Sequence, residues 1–125
     1  MELIFQRTHQ FEKNLRKLSL FDKEKVVKQV NQMAENFSND KDLFFKHARL
    51  ARITLRNGLK PSLYIMRSGL KLRILFTIDD DPIFEKRIFT LLRIVKPDEY
   101  KKVFSQLAES MYQQYLIEYE ATDEN

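Results

Sequence analysis

Apolar residues recur along this chain with one period in its first third, with another in its middle, and with the first again toward its end. Leu3, Ile4 and Phe5 form a short apolar run that ends before Thr8, a residue suited to capping a helix. Phe11, Leu15 and Leu18 then repeat at helical spacing, so the opening predicts a strand running directly into a helix. Ser19 and Asp22 stand at capping-box spacing ahead of a second stripe made of Val26, Val27, Val30, Met33, Ala34 and Phe37. Ser38, Asn39 and Asp40 end that stripe, which predicts a strand followed by an antiparallel helical hairpin over residues 1–40.

The segment from Lys46 to Lys60 is basic and shows no clear period, and after it the period falls to two. Ser62 to Arg67 is a short run, Ser68-Gly69 is a tight-turn signal, and Leu70, Leu72, Ile74, Phe76 and Ile78 alternate with Lys71, Arg73, Leu75, Thr77 and Asp79. This predicts a β-hairpin with one apolar face and one partly basic face. Asp79-Asp80-Asp81-Pro82 predicts the next turn; the three acids lack the alternating spacing and terminal Glu of a calcium loop. Ile88 to Val95 is apolar on both faces except at Thr90 and Arg93, as a covered central strand should be. Pro97 suits a first helical turn, and Tyr100, Val103, Phe104, Leu107, Met111 and Tyr115 continue at helical spacing. The order β-α-α-β-β-β-α predicts an α+β fold. Its curved antiparallel sheet carries the helical hairpin on one face, a C-terminal helix follows, and the other face is left available for function.

Composition narrows the chemistry. With 125 residues, 43% of them hydrophobic, the chain suits one domain with its own core. It holds no cysteine, which excludes disulfides and thiolate chemistry and suits a reducing compartment. Its two histidines, His9 and His47, lack metal-site spacing, so no metal is expected. No glycine-rich phosphate loop, nucleophile elbow or dinucleotide fingerprint occurs, so no cofactor is expected either. The opening residues show no leader pattern and no window approaches the roughly 20 apolar residues of a membrane span, so a cytoplasmic location away from membranes is expected.

Charge changes the picture more. The net charge is +4 and the pI about 9.3, yet positions 106–125 hold Glu109, Glu118, Glu120, Asp123 and Glu124 with no Lys or Arg. Positions 1–105 therefore carry 22 basic against 13 acidic residues, a body of about +9 followed by an acidic helical extension from about residue 106. Such a body suits a polyanionic partner, with RNA foremost. Lys71 and Arg73 fall on one face of their strand, and Arg67, Arg93, Lys96 and Tyr100 lie in the same half of the chain, with Lys46 and His47 opening the basic segment. A phosphodiester needs forked cationic donors to hold its oxygens and a proton carrier near the reacting hydroxyl. Each residue also has a plainer role: solvating the sheet for the cations, packing for Tyr100 and His47.

Several segments together resemble the RelE/ParE toxin superfamily over roughly residues 1–105. They are Phe11 to Leu18 (FEKNLRKL), Lys46 to Leu50, Tyr64 to Gly69, Leu72 to Asp79, and Ile94 to Tyr100 (IVKPDEY). The hairpin reads R-x-G-x-x-x-R-I-x-F-x-x-D, and a basic residue and a tyrosine follow the last strand. The length suits a single domain over residues 1–125, and the resemblance implies the toxin of a type II toxin–antitoxin module. Its expected partners are a cognate antitoxin, the ribosome and mRNA. In the RelE-like branch it implies metal-independent, ribosome-dependent mRNA cleavage and translation inhibition, with Arg73, Lys96 and Tyr100 as catalytic residues. Arg67, Lys71, Arg93, Lys46 and His47 are the expected RNA-binding residues. The ParE-like branch implies a DNA gyrase inhibitor instead, and a non-catalytic nucleic-acid-binding module is the further alternative. Leu63, Tyr64, Ile65 and Met66 stand where some members carry lysines, and Lys96 where arginine is more usual.

Overall fold

The computed structural model describes residues 2–50, 63–107, 109 and 110, and the side chains of His47, Arg49 and Leu50 lie outside that description. Strand β1 (Glu2–Arg7) leads into α1 (His9–Arg16), α2 (Leu20–Asn39), α3 (Lys41–His47) and β2 (Ala48–Leu50), and then into β3 (Leu63–Ser68), β4 (Leu72–Asp81) and β5 (Lys86–Val95). A C-terminal helix, α4, covers residues 100–107. The α+β class expected from the periods is present.

Local chemistry sets the helix starts. Thr8 Oγ1 accepts from the Phe11 amide at 3.0 Å and Ser19 Oγ from the Asp22 amide at 3.2 Å, each satisfying a donor that the first helical turn leaves free. Asp40 serves twice. Its backbone N–H closes α2 on the Asn36 carbonyl, and its Oδ1 accepts from the Leu43 amide at 3.1 Å to open α3. The break foreseen at Ser38-Asn39-Asp40 is thus a junction between two helices, and α3 falls in a stretch where the periods predict no element.

The five strands lie in the order β1-β5-β4-β3-β2. The three inner pairings are antiparallel, but β1 runs parallel to β5, with Glu2 opposite Lys86 and Arg7 opposite Leu91. The expectation of a wholly antiparallel sheet is therefore corrected to a mixed one. Short turns force the antiparallel pairing of β3 with β4 and of β4 with β5, whereas β1 meets β5 across the whole domain and no turn dictates its direction.

Apolar residues fill both faces. Against the first face, Phe11, Val26, Met33, Phe37 and Phe44 of the helices pack on Met66, Leu72, Ile74, Phe76, Phe89, Leu91 and Ile94. Phe89 sits at its centre, with ring centroids 5.1 Å from Phe5, 5.2 Å from Phe37 and 5.9 Å from Phe44. On the second face, Phe104 of α4 packs on Leu63, Leu75 and Val95. The second face is thus partly covered rather than left free, because Val103, Phe104 and Leu107 present an apolar stripe that docks there.

Two other readings are corrected at the turns. Leu70 is 89% exposed and Lys71 joins it in the β3–β4 turn, because Gly69 takes the left-handed conformation (φ 67°) and the strand alternation begins only at Leu72. The acidic triplet is not a turn: β4 continues through Asp81, and the turn spans residues 82–85. Cross-strand charges explain the extension. Asp80 lies opposite Arg87 and Asp81 opposite Lys86, and Arg87 Nη2 donates to Asp80 Oδ2 at 2.8 Å. Asp81 Oδ1 then accepts from the Ile83 and Phe84 amides at 3.1 and 3.3 Å, which fixes the turn.

Candidate functional site

The site is built where β3 and β4 pair just before their turn. Arg67 and Arg73 are register partners there, directly opposite across the two strands. Their parity matches Ile65 and Leu75, so both project on the second face of the sheet. Beside them, Tyr100 at the start of α4 is half-buried, its ring 5.6 Å from that of Phe104. The chain reaches that position through a turn at 97–99 in which the Glu99 amide donates to the Lys96 carbonyl at 3.0 Å.

These residues line a cavity of about 470 Å³. Arg67, Arg73 and Lys46 supply cations, Tyr100 and Gln29 supply neutral polar groups, and Ile65 and Pro97 supply apolar wall. No carboxylate lines it among the described residues. Lys46, near the end of α3, and Gln29 of α2 reach the cavity because the register of β2 against β3 ends at Ala48 opposite Met66, which leaves the last two residues of β3 without a neighbour from β2. Arg73 Nη1 donates to the carbonyl of the preceding Leu72 at 3.0 Å, which holds one edge of the guanidinium and leaves other donors of its fork without a partner among the described residues.

Like charges placed opposite one another across strands destabilise a sheet. The Arg67–Arg73 pair has no carboxylate partner among the described residues, although Asp80 and Arg87 show what the same pairing achieves with opposite charge. An anion seated between the two guanidiniums removes that repulsion. The volume is within the ~300–1,000 Å³ range of small-ligand sites, enough for a nucleotide unit.

Of the residues singled out in the sequence, the structure therefore brings together Arg67, Arg73, Tyr100 and Lys46. Lys96 is exposed and outside the cavity wall, although its neighbour Pro97 belongs to it. Lys71 does not share a strand face with Arg73; it faces a separate cavity of about 300 Å³ that includes Lys25, Ser68 and Gly69. His47 closes α3, and its side chain lies outside the described residues.

Arg93 owes its position to a β-bulge. The β4–β5 register shifts so that Leu75 faces Arg93 while Phe76 faces Leu91, which makes Leu92 the extra residue and puts Arg93 on the second face. The N-terminal end of α1 and its Asn14 take up backbone groups of the bulged stretch. The Thr8 amide donates to the Leu91 carbonyl at 3.1 Å, Thr8 Oγ1 donates to the Leu92 carbonyl at 2.9 Å, and Asn14 Oδ1 accepts from the Ile94 amide at 3.2 Å. Arg93 is half-buried, and that desolvation lowers its pKa from the ordinary arginine value. It stands outside the cavity wall.

The residue that sequence reasoning missed is Gln29. It lies three residues after buried Val26 and four before buried Met33, so a polar residue on the inner flank of an apolar helical stripe was the available signal. No cluster of three or more metal-ligating side chains occurs among the described residues, and none of their helices is long and apolar enough to cross a membrane. Comparison of the chain with family models, curated proteins and solved structures yields no match.

Proposed function

We propose that this protein is a RelE-like toxin that cleaves mRNA on the ribosome without a metal, using the cavity between β3, β4 and the start of α4. The observation that carries the reading is the Arg67–Arg73 pair, without a carboxylate partner among the described residues, facing a cavity that also holds Tyr100 and Lys46. Two forked donors opposite each other suit the non-bridging oxygens of one phosphodiester and the added charge of its pentavalent transition state. The 2′-hydroxyl attacks the adjacent phosphorus and loses its proton to solvent. The bond to the 5′-oxygen breaks, and Tyr100 donates its phenolic proton to that leaving oxygen and regains one from solvent. The products are a 2′,3′-cyclic phosphate and a 5′-hydroxyl, with no oxidant or metal consumed. In this assignment Arg67 takes the second cationic place that Lys96 holds in the sequence-based expectation. The partners are mRNA on the ribosome and an antitoxin that restrains the toxin.

A second reading is a silent RNA-binding module. It is favoured by the absence, among the described residues lining the cavity, of a carboxylate or imidazole to accept the 2′-hydroxyl proton. Reconstituted translation with primer extension on the message decides between them. Cuts at positions set by the reading frame are expected, reduced roughly hundredfold by Arg73→Ala. Tyr100→Phe should slow cleavage while leaving ribosome binding intact. An uncut message overturns the nuclease reading, and retained ribosome binding then supports the module.

A further inference from the structure

Phosphate contacts hold a nucleic acid without reading it; reading requires neutral donors and acceptors placed against a base edge. Gln29 is the one carboxamide among the described residues of the cavity wall. Its carrier is a helix of 20 residues anchored through buried Val26, Met33 and Phe37, so its backbone position is set by the core. The side chain is half-buried and tethered, with Nε2 donating to Met66 Sδ at 3.4 Å. Turning the amide over would set Oε1 against the sulfur lone pairs, so the tether also fixes which end is which. It consumes one N–H and leaves the second N–H together with Oε1.

We infer that Gln29 is a specificity-determining residue that reads adenine, an inference resting on the assignment of this cavity to RNA. With the sulfur taking the N–H trans to Oε1, the cis N–H and Oε1 form a donor–acceptor pair that matches adenine N7 and N6 in bidentate fashion. Tyr100, Ile65 and Pro97 supply the apolar surface on which the base lies, while Arg67, Arg73 and Lys46 take the flanking phosphates.

The test uses the full chain and fluorescein-labelled RNA pentamers of adenosine, uridine or 7-deazaadenosine at low salt, read by anisotropy. The deaza base keeps the stacking surface and N6 but lacks the N7 acceptor. Wild type should bind the adenosine pentamer about tenfold more tightly than the other two. Gln29→Leu should bring all three to the uridine affinity, with an unchanged circular-dichroism melt. An adenosine preference that survives Gln29→Leu, or one equally strong for 7-deazaadenosine, reports stacking alone and overturns the inference while RNA binding stands. Equal wild-type affinity for adenosine and uridine overturns it likewise. If no pentamer binds, or if Arg73→Ala leaves every affinity unchanged, the assignment of the cavity to RNA falls with it.

Discussion

The same sheet contains two arginines that meet their cross-strand partners in opposite ways. At the far end of the β4–β5 ladder, Arg87 faces Asp80, binds it through two nitrogens, and lays its guanidinium 4.9 Å from the centre of the Phe37 ring. Near the β3–β4 turn, Arg73 faces Arg67. Parity puts the first pair at the rim of the face covered by α1 to α3 and the second on the face against which α4 packs. Charge is neutralised and aromatic rings interlock on the first face, whereas on the second Arg67 and Arg73 have no carboxylate partner among the described residues. Sites that bind or react commonly depart from the pairing rules that the rest of a fold obeys.

The largest effect that tests this division is on the core. Phe89 is fully buried among Phe5, Phe37, Phe44 and Phe76, so Phe89→Ala should cost about 3–5 kcal/mol in urea unfolding. Phe104 anchors α4 in a smaller cluster, so Phe104→Ala should fall at the low end of that range, about 3 kcal/mol, while disturbing the cavity through Tyr100. Equal costs, measured by the same denaturation, would erase the distinction between the two faces.

A charge reversal sharpens the comparison next. Arg73→Glu turns the Arg67–Arg73 pairing into a copy of Asp80–Arg87, so stability should rise by about 0.2–1 kcal/mol while RNA affinity at low salt collapses. Loss of stability with affinity retained would mean that the pair is held by packing rather than poised for an anion.

Features that depend on neighbours in sequence were legible: the Thr8 and Ser19 caps, the stripe of Val26, Met33 and Phe37, and the alternation through Leu72, Ile74 and Phe76. Features set by distant contacts were not. The direction of β1 depends on β5, and the bulge that turns Arg93 over shows only in the β4–β5 register. For the site, period two placed Arg73 on a face away from the apolar stripe, and the resemblance named Tyr100. The partnership with Arg67 needs the register, and the arrival of Gln29 and Lys46 needs the packing of α2 and α3 at the end of the sheet. Lys71 was misplaced because alternation was extended two residues into a turn that Gly69 creates.

The smallest effect concerns the neutralised pair itself. The Arg87 guanidinium, by hydrogen bonding first and by charge second, holds the Asp80 carboxyl below its ordinary pKa, and Asp80 in turn raises Arg87. A carboxyl depressed in the folded state contributes stability above its unfolded value, about 4, and that contribution is lost as pH falls through the folded value. Asp80→Asn should therefore lower the urea midpoint slightly at neutral pH, and the gap to wild type should close at acidic pH below about 4. Asp80 is exposed, so added salt should narrow the gap as well. Arg73→Ala, by contrast, removes no carboxylate contact among the described residues and should leave the acid limb of the stability curve where wild type has it. A wild-type gap that persists unchanged below pH 4 would show that Asp80 acts through backbone geometry rather than charge, and the contrast between the two arginines would then rest on the Phe37 contact alone.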